Sequence, residues 1–154
     1  MVFSLQTDPT VRYPAPESSY SPSEHFPEYP WESLSPNPNV VYRMVRDIFA
    51  QAGLDKERFG SPHWNPLGTR IARGSRVFIL CNFVFERRVH EDELTFQSKC
   101  IHGSVLRALI DYVLLAVGQQ GRVAFGNSPL QATSWDRVLR DSGADQVARF
   151  YQER

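Results

Sequence analysis

Three short stretches of this 154-residue chain collect an imidazole, hydroxyls, amides and an arginine where a strand should end or a helix begin. The first is Asn82, beside Cys81, in the apolar run 77–85. The second is His102, Gly103 and Ser104, opening the most apolar helical stretch, with Arg107 one turn further along. The third is residues 126–131, a Gly-Asn-Ser-Pro-Leu-Gln segment that supplies Asn127, Ser128 and Gln131. Free amides at a helix start, joined by a guanidinium, match a phosphate or carboxylate. The expected chemistry is therefore capture of a small anionic metabolite by Asn82, Ser104, Arg107, Asn127, Ser128 and Gln131. His102 is the one acid/base candidate there at neutral pH and would be the catalytic group, although a lone His at a helix start is more often a cap or a core residue. Cys81 would be a nucleophile only with a lowered pKa, and a Cys ending an apolar strand is more often simply small and buried.

Other chemistries find no support. There is no Gly-x-Gly-x-x-Gly and no Gly-rich phosphate loop ending in Lys-Ser/Thr. His25, His63 and His90 have no ligand spacing with one another, so no metal is expected, and the sequence names no cofactor. With 17 basic and 17 acidic residues the chain has no net field to draw it onto nucleic acid or an anionic membrane. Only Lys56 and Lys99 among the basic residues are not Arg, a bias that fits either bidentate anion recognition or a GC-rich genome. Two cysteines without a Cys-x-x-Cys fit a reducing compartment. No basic-then-apolar leader opens the chain, and no apolar stretch approaches the roughly 18 residues a membrane helix needs, so the expected location is the cytoplasm.

The elements that must position these groups follow from patterning. Eight of the eleven prolines lie between residues 9 and 38, which excludes regular helices and central strands there. Tyr13, Tyr20, Phe26, Tyr29 and Trp31 give that stretch too much aromatic surface for a solvated linker. Residues 1–38 are therefore expected to be an extended arm wrapped over a single domain at 39–154; the alternative is that Phe26 to Trp31 docks onto a partner as a polyproline segment. Asn37 or Asn39 caps a first helix with Val41, Met44, Val45, Ile48 and Phe49 at the 3.6-residue period, ended by Gly53. Arg43, Arg46, Asp47 and Gln51 are its expected solvated face.

The run 77–85 reads as a strand covered on both faces, because its apolar residues do not alternate. Residues 86–100 are charged and aperiodic, a long loop of the kind that often forms lids, or a small excursion. A largely buried helix is expected at 104–119, a short strand at 122–125, a further helix from about Ser134, and an apolar terminal segment around Val147, Phe150 and Tyr151. Strand, helix, strand is the crossover unit of a parallel sheet. The expected fold class is α/β, a small Rossmann-like parallel sheet with a βαβ crossover, preceded by the arm. Only two strands are visible where sheets usually have about four to six, so either weak strands lie in the loops or another domain or subunit completes the sheet.

The stretch 59–68 (Phe-Gly-Ser-Pro-His-Trp-Asn-Pro-Leu-Gly), then 74–84, 102–112 and 127–131, resembles the family called domain of unknown function 362. Asn82-Phe83-Val84, Ile110-Asp111-Tyr112 and Pro129-Leu130-Gln131 are the most recognisable pieces, in order within residues 26–151. The resemblance implies a cytoplasmic α/β protein, often encoded among polysaccharide or secondary-metabolite genes, without a generally established reaction; some relatives carry ferredoxin-like iron–sulfur modules. This chain has Leu80 and Cys81 where the family pattern has Lys-Pro, and Asn127 where it tends to have Asp. Relatives are typically much longer, so the likeness is to their N-terminal portion.

Two functions follow. One is an enzyme or enzyme half binding a small anionic metabolite in polysaccharide or secondary-metabolite biosynthesis. The other is a non-catalytic interaction subunit whose aromatic arm and unfinished sheet bind a partner, as a homo-oligomer or with a different chain.

Overall fold

The computed structural model describes residues 7–154, so the first six residues of the expected arm lie outside the described residues. The Pro-rich stretch contains only a 3-10 turn at Glu17–Tyr20. Helix α1 spans Val40–Gln51, β1 Arg76–Leu80, α2 Glu93–Gln97, α3 Gly103–Val117, β2 Arg122–Gly126, α4 Trp135–Ser142 and α5 Ala144–Gln152. β1 and β2 pair in parallel, with Arg76 opposite Arg122 and Leu80 opposite Gly126. The fold is therefore mixed α/β around a two-stranded sheet. Among the described residues the one other strand-like contact is an isolated antiparallel bridge between Phe83 and Cys100. No helix among the described residues is long and apolar enough to cross a membrane.

Local chemistry explains most boundaries. The Asn39 side chain accepts from the Tyr42 amide and caps α1. His102 does the same for α3, accepting from the Ser104 amide, and Gly118 ends that helix at φ +65°. α4 and α5 are separated at Gly143, where φ is +76° and a Cβ would overlap the Tyr20 ring. Glycine is thus required there twice over, by backbone and by packing.

Two apolar clusters flank α3. One joins Tyr20, Cys81, Phe83, Phe96, Leu106 and Val147; the other joins Phe26, Tyr29, Tyr42, Trp64 and Tyr112. The Pro-rich stretch thus contributes Tyr20, Phe26 and Tyr29 to the core, at roughly 1.5–3 kcal/mol for each fully buried side chain.

Three expectations need correction. β1 is not covered on both faces and ends at Leu80: Val77 and Ile79 are half-buried, while Phe78 and Leu80 are 61% and 75% exposed. Consecutive apolar residues concealed an alternation that only the one-sided packing of the sheet reveals. The charged stretch 86–100 is not all loop, since Asp92 accepts from the Thr95 amide and caps the short helix α2. Arg46 does not lie on a solvated face. It is buried against Glu28, with 2.6 Å from Nε to Oε1, and its guanidinium sits over the Phe26, Phe59 and Trp64 rings.

Candidate functional site

The carboxyl ends of β1 and β2 and the start of α3 converge through backbone contacts. The Ile101 amide donates to the Asn82 carbonyl at 2.8 Å, and the Asn127 side-chain amide donates to the Phe83 carbonyl at 3.3 Å. Asn82, Ser128 and Gln131 are exposed, whereas Asn127 is half-buried with its Oδ1 taken by the Ser128 amide. Asn82 and Asn127 are thus neighbours at one end of the sheet, as their sequence positions imply.

The His102 ring points elsewhere. It stacks on Tyr13 with centroids 4.2 Å apart and meets Tyr20 edge-on at 5.3 Å. Its Nδ1 accepts from the Ser104 amide and is 2.9 Å from Ser104 Oγ, an arrangement that leaves the ring proton on Nε2. Burial lowers its pKa from 6.5 to about 4, against a smaller upward pull from Glu93. At neutral pH this imidazole is uncharged and a weak base, and its Nε2–H is a donor. Ser104 is fully buried. Beside His102 runs a groove of about 990 Å³ between the 7–15 stretch and α1, lined by Val41, Met44, Ile48, Leu94 and Val105.

Arg107 lies inside the protein. Its Nε donates to Asp111 at 3.1 Å, one η nitrogen to the Ser19 carbonyl and Ser21 Oγ, and the other to the Tyr29 hydroxyl. The guanidinium carbon is 3.6 Å from the Phe150 ring centroid. Burial pulls the guanidinium pKa down, and Asp111 together with Tyr151, Tyr29 and Tyr42 more than offsets it, so the charge is held. With every nitrogen engaged and no exposed surface, this arginine has no free face for a solvent-borne anion.

Asp111 is the centre of this arrangement, and sequence reasoning missed it as such. Beyond Arg107 it accepts from Trp31 Nε1 at 2.6 Å, the Tyr42 hydroxyl at 2.9 Å and the Tyr151 hydroxyl at 2.7 Å. One carboxylate thereby ties the Pro-rich stretch, α1, α3 and α5 together. A parallel tie runs from Glu28 to Arg46 and the Tyr112 hydroxyl. The available signal was a charged pair at i, i+4 inside an apolar helix, because a buried charge needs a partner.

Among the described residues the sheet has two strands and no further strand pairs with either edge. The Arg122 amide donates to the Ser75 carbonyl, and the Cys81 amide to the Gly126 carbonyl. In a parallel pair this register turns the backbone groups of Arg122, Ala124 and Gly126 inward, to β1. Those of Val123 and Phe125 face outward from β2, and those of Arg76, Phe78 and Leu80 face outward from β1. Beyond β2 lies a groove of about 460 Å³ lined by Trp31, Leu114, Val123, Phe125 and Tyr151. Arg76 and Arg122 stand opposite each other on the exposed face.

Among the described residues no group of three or more His, Cys, Asp or Glu side chains could hold a metal ion. Searches of family models, curated proteins and solved structures return no match to this chain.

Proposed function

We propose that the chain is a non-catalytic interaction subunit that completes its sheet with a partner chain. The observation that carries this reading is the exposure of Phe78 and Leu80, 61% and 75%, on the face of a sheet neither edge of which is paired by another described strand. Apolar side chains and unpaired strand edges together are an aggregation hazard for an isolated protein, and a second polypeptide removes it. The buried ties through Asp111 and Glu28 support the same reading, since they hold the Pro-rich stretch against α1, α3 and α5 and leave Phe78 and Leu80 exposed. The family likeness belongs to this proposal and implies no particular reaction.

The test is a photo-crosslinking residue at position 80, and in a second variant at position 124, in cells that express the protein. A discrete cross-linked polypeptide from either position is expected. Monomer alone from both would overturn the proposal.

A second reading, binding of a small anionic metabolite in a biosynthetic pathway, is favoured by the groove of about 990 Å³ onto which His102 opens. Its anchor would be the His102 Nε2–H. Native mass spectrometry of the purified protein tests it: a bound small molecule lost in His102→Asn supports this reading, and a ligand-free chain removes it.

A further inference from the structure

Resting on the interaction reading, we infer that the partner at the β2 edge is a second copy of this chain, joined through antiparallel β2–β2 pairing about a two-fold axis at Ala124. The argument starts from which backbone groups are free. Val123 and Phe125 turn their N–H and C=O groups outward, and an antiparallel partner strand must offer outward groups at the residues opposite. Centring the axis on Ala124 places Val123 opposite Phe125 of the second copy, so both outward-facing residues meet outward-facing residues. The edge is self-complementary, as a two-fold interface requires.

The side chains agree on both faces of the sheet. On the covered face, Val123 and Phe125 of the incoming strand would enter the groove of about 460 Å³ beside β2, walled by Trp31, Leu114 and Tyr151. On the exposed face, Ala124 meets Ala124, small enough for the close approach of a non-hydrogen-bonded pair. Arg122 falls opposite Gly126, over which the Phe78 ring lies: a Cβ on Gly126 would be 3.3 Å from that ring. An arginine with no acidic partner among the described residues of its own chain thus meets an exposed aromatic ring of the other, a guanidinium–aromatic contact made twice by symmetry. The product is a four-stranded sheet in the order β1, β2, β2, β1, with both open β2 edges removed.

Pairing at the β1 edge has no such match. The same operation there sets Arg76 opposite Leu80, with neither an aromatic ring nor a small residue across from the arginine.

Sedimentation equilibrium over about a hundredfold concentration range tests the inference on the purified chain. A dimer is expected for the wild type. Ala124→Glu sets two carboxylates face to face on the axis and should give a monomer with an unchanged circular dichroism spectrum, because Ala124 is exposed in the single copy. An equimolar mixture of Ala124→Glu and Ala124→Lys should regain the dimer, which a merely misfolded variant would not do. Val123→Pro removes an outward N–H that no described residue of the single copy accepts and should likewise give folded monomer. A wild type that stays monomeric throughout, or a dimer indifferent to Ala124→Glu, overturns the inference. A monomer that nevertheless cross-links to a different protein from position 80 or 124 removes the second copy while leaving the interaction reading standing.

Discussion

Lowering the pH should destabilise this protein through one imidazole, by an amount set by its burial. His102 has a pKa of about 4 in the folded chain against 6.5 when unperturbed. Between those values the unfolded state binds the extra proton and the folded state does not, so stability is complete above 6.5 and is lost as pH falls toward about 4. Integrating the linkage relation from about pH 7.5 to about pH 5 gives a loss of about 2 kcal/mol from this residue alone. Protonation would also take the Nδ1 lone pair from the Ser104 amide and uncap α3. The assay is urea denaturation at both pH values for the wild type and for His102→Asn. Asparagine keeps a cap acceptor and does not titrate, so the variant should lack this part of the pH dependence whatever its absolute stability. Equal pH dependence in the two proteins would refute the assignment of a buried, neutral His102.

Further outcomes follow from the same structure. Asp111→Ala leaves the Arg107 charge buried without its carboxylate and Trp31 Nε1 and the Tyr42 hydroxyl without their acceptor, and should cost about 3–5 kcal/mol in urea unfolding. Phe78→Ser and Leu80→Ser should each change the stability of the single copy by no more than about 0.5 kcal/mol, as exposed positions do. Ile79→Ala, between them but packed on the core, should cost about 2 kcal/mol by the same measurement. Cys81 and Cys100 are buried, and burial raises the Cys81 thiol, so an alkylating reagent should label neither until the chain unfolds.

Helices α1, α3 and α4 were legible because their signals are local. Asn39 and His102 are side-chain caps read from one residue and its successors, and Gly118 marks its helix end by its freedom at positive φ. The strands were found for the same reason, as short apolar runs. What the sequence could not show was how many faces of the sheet are covered: Val77 and Ile79 differ from Phe78 and Leu80 in environment, not in hydrophobicity. Arg107 was misjudged for a related reason. A helix-start arginine has the same letter whether it faces an anion or reaches inward to Asp111 and Tyr29, and those partners come from stretches more than 75 residues apart or from one turn of the same helix. Asn82 and Asn127 did converge, because both follow paired strands of equal length. The Glu28–Arg46–Tyr112 tie was hidden because it joins a Pro-rich stretch without periodicity to two helices.

The most direct test of the account is residue-resolved amide hydrogen exchange on β2 in concentrated and dilute protein. The N–H groups of Ala124 and Gly126 bond to β1 within one chain and should be protected at both concentrations. Those of Val123 and Phe125 should be protected only in the concentrated sample, where a second strand pairs with them. Fast exchange at Val123 and Phe125 under both conditions, with Ala124 slow throughout, would contradict the claim that this edge is taken by another copy of the chain.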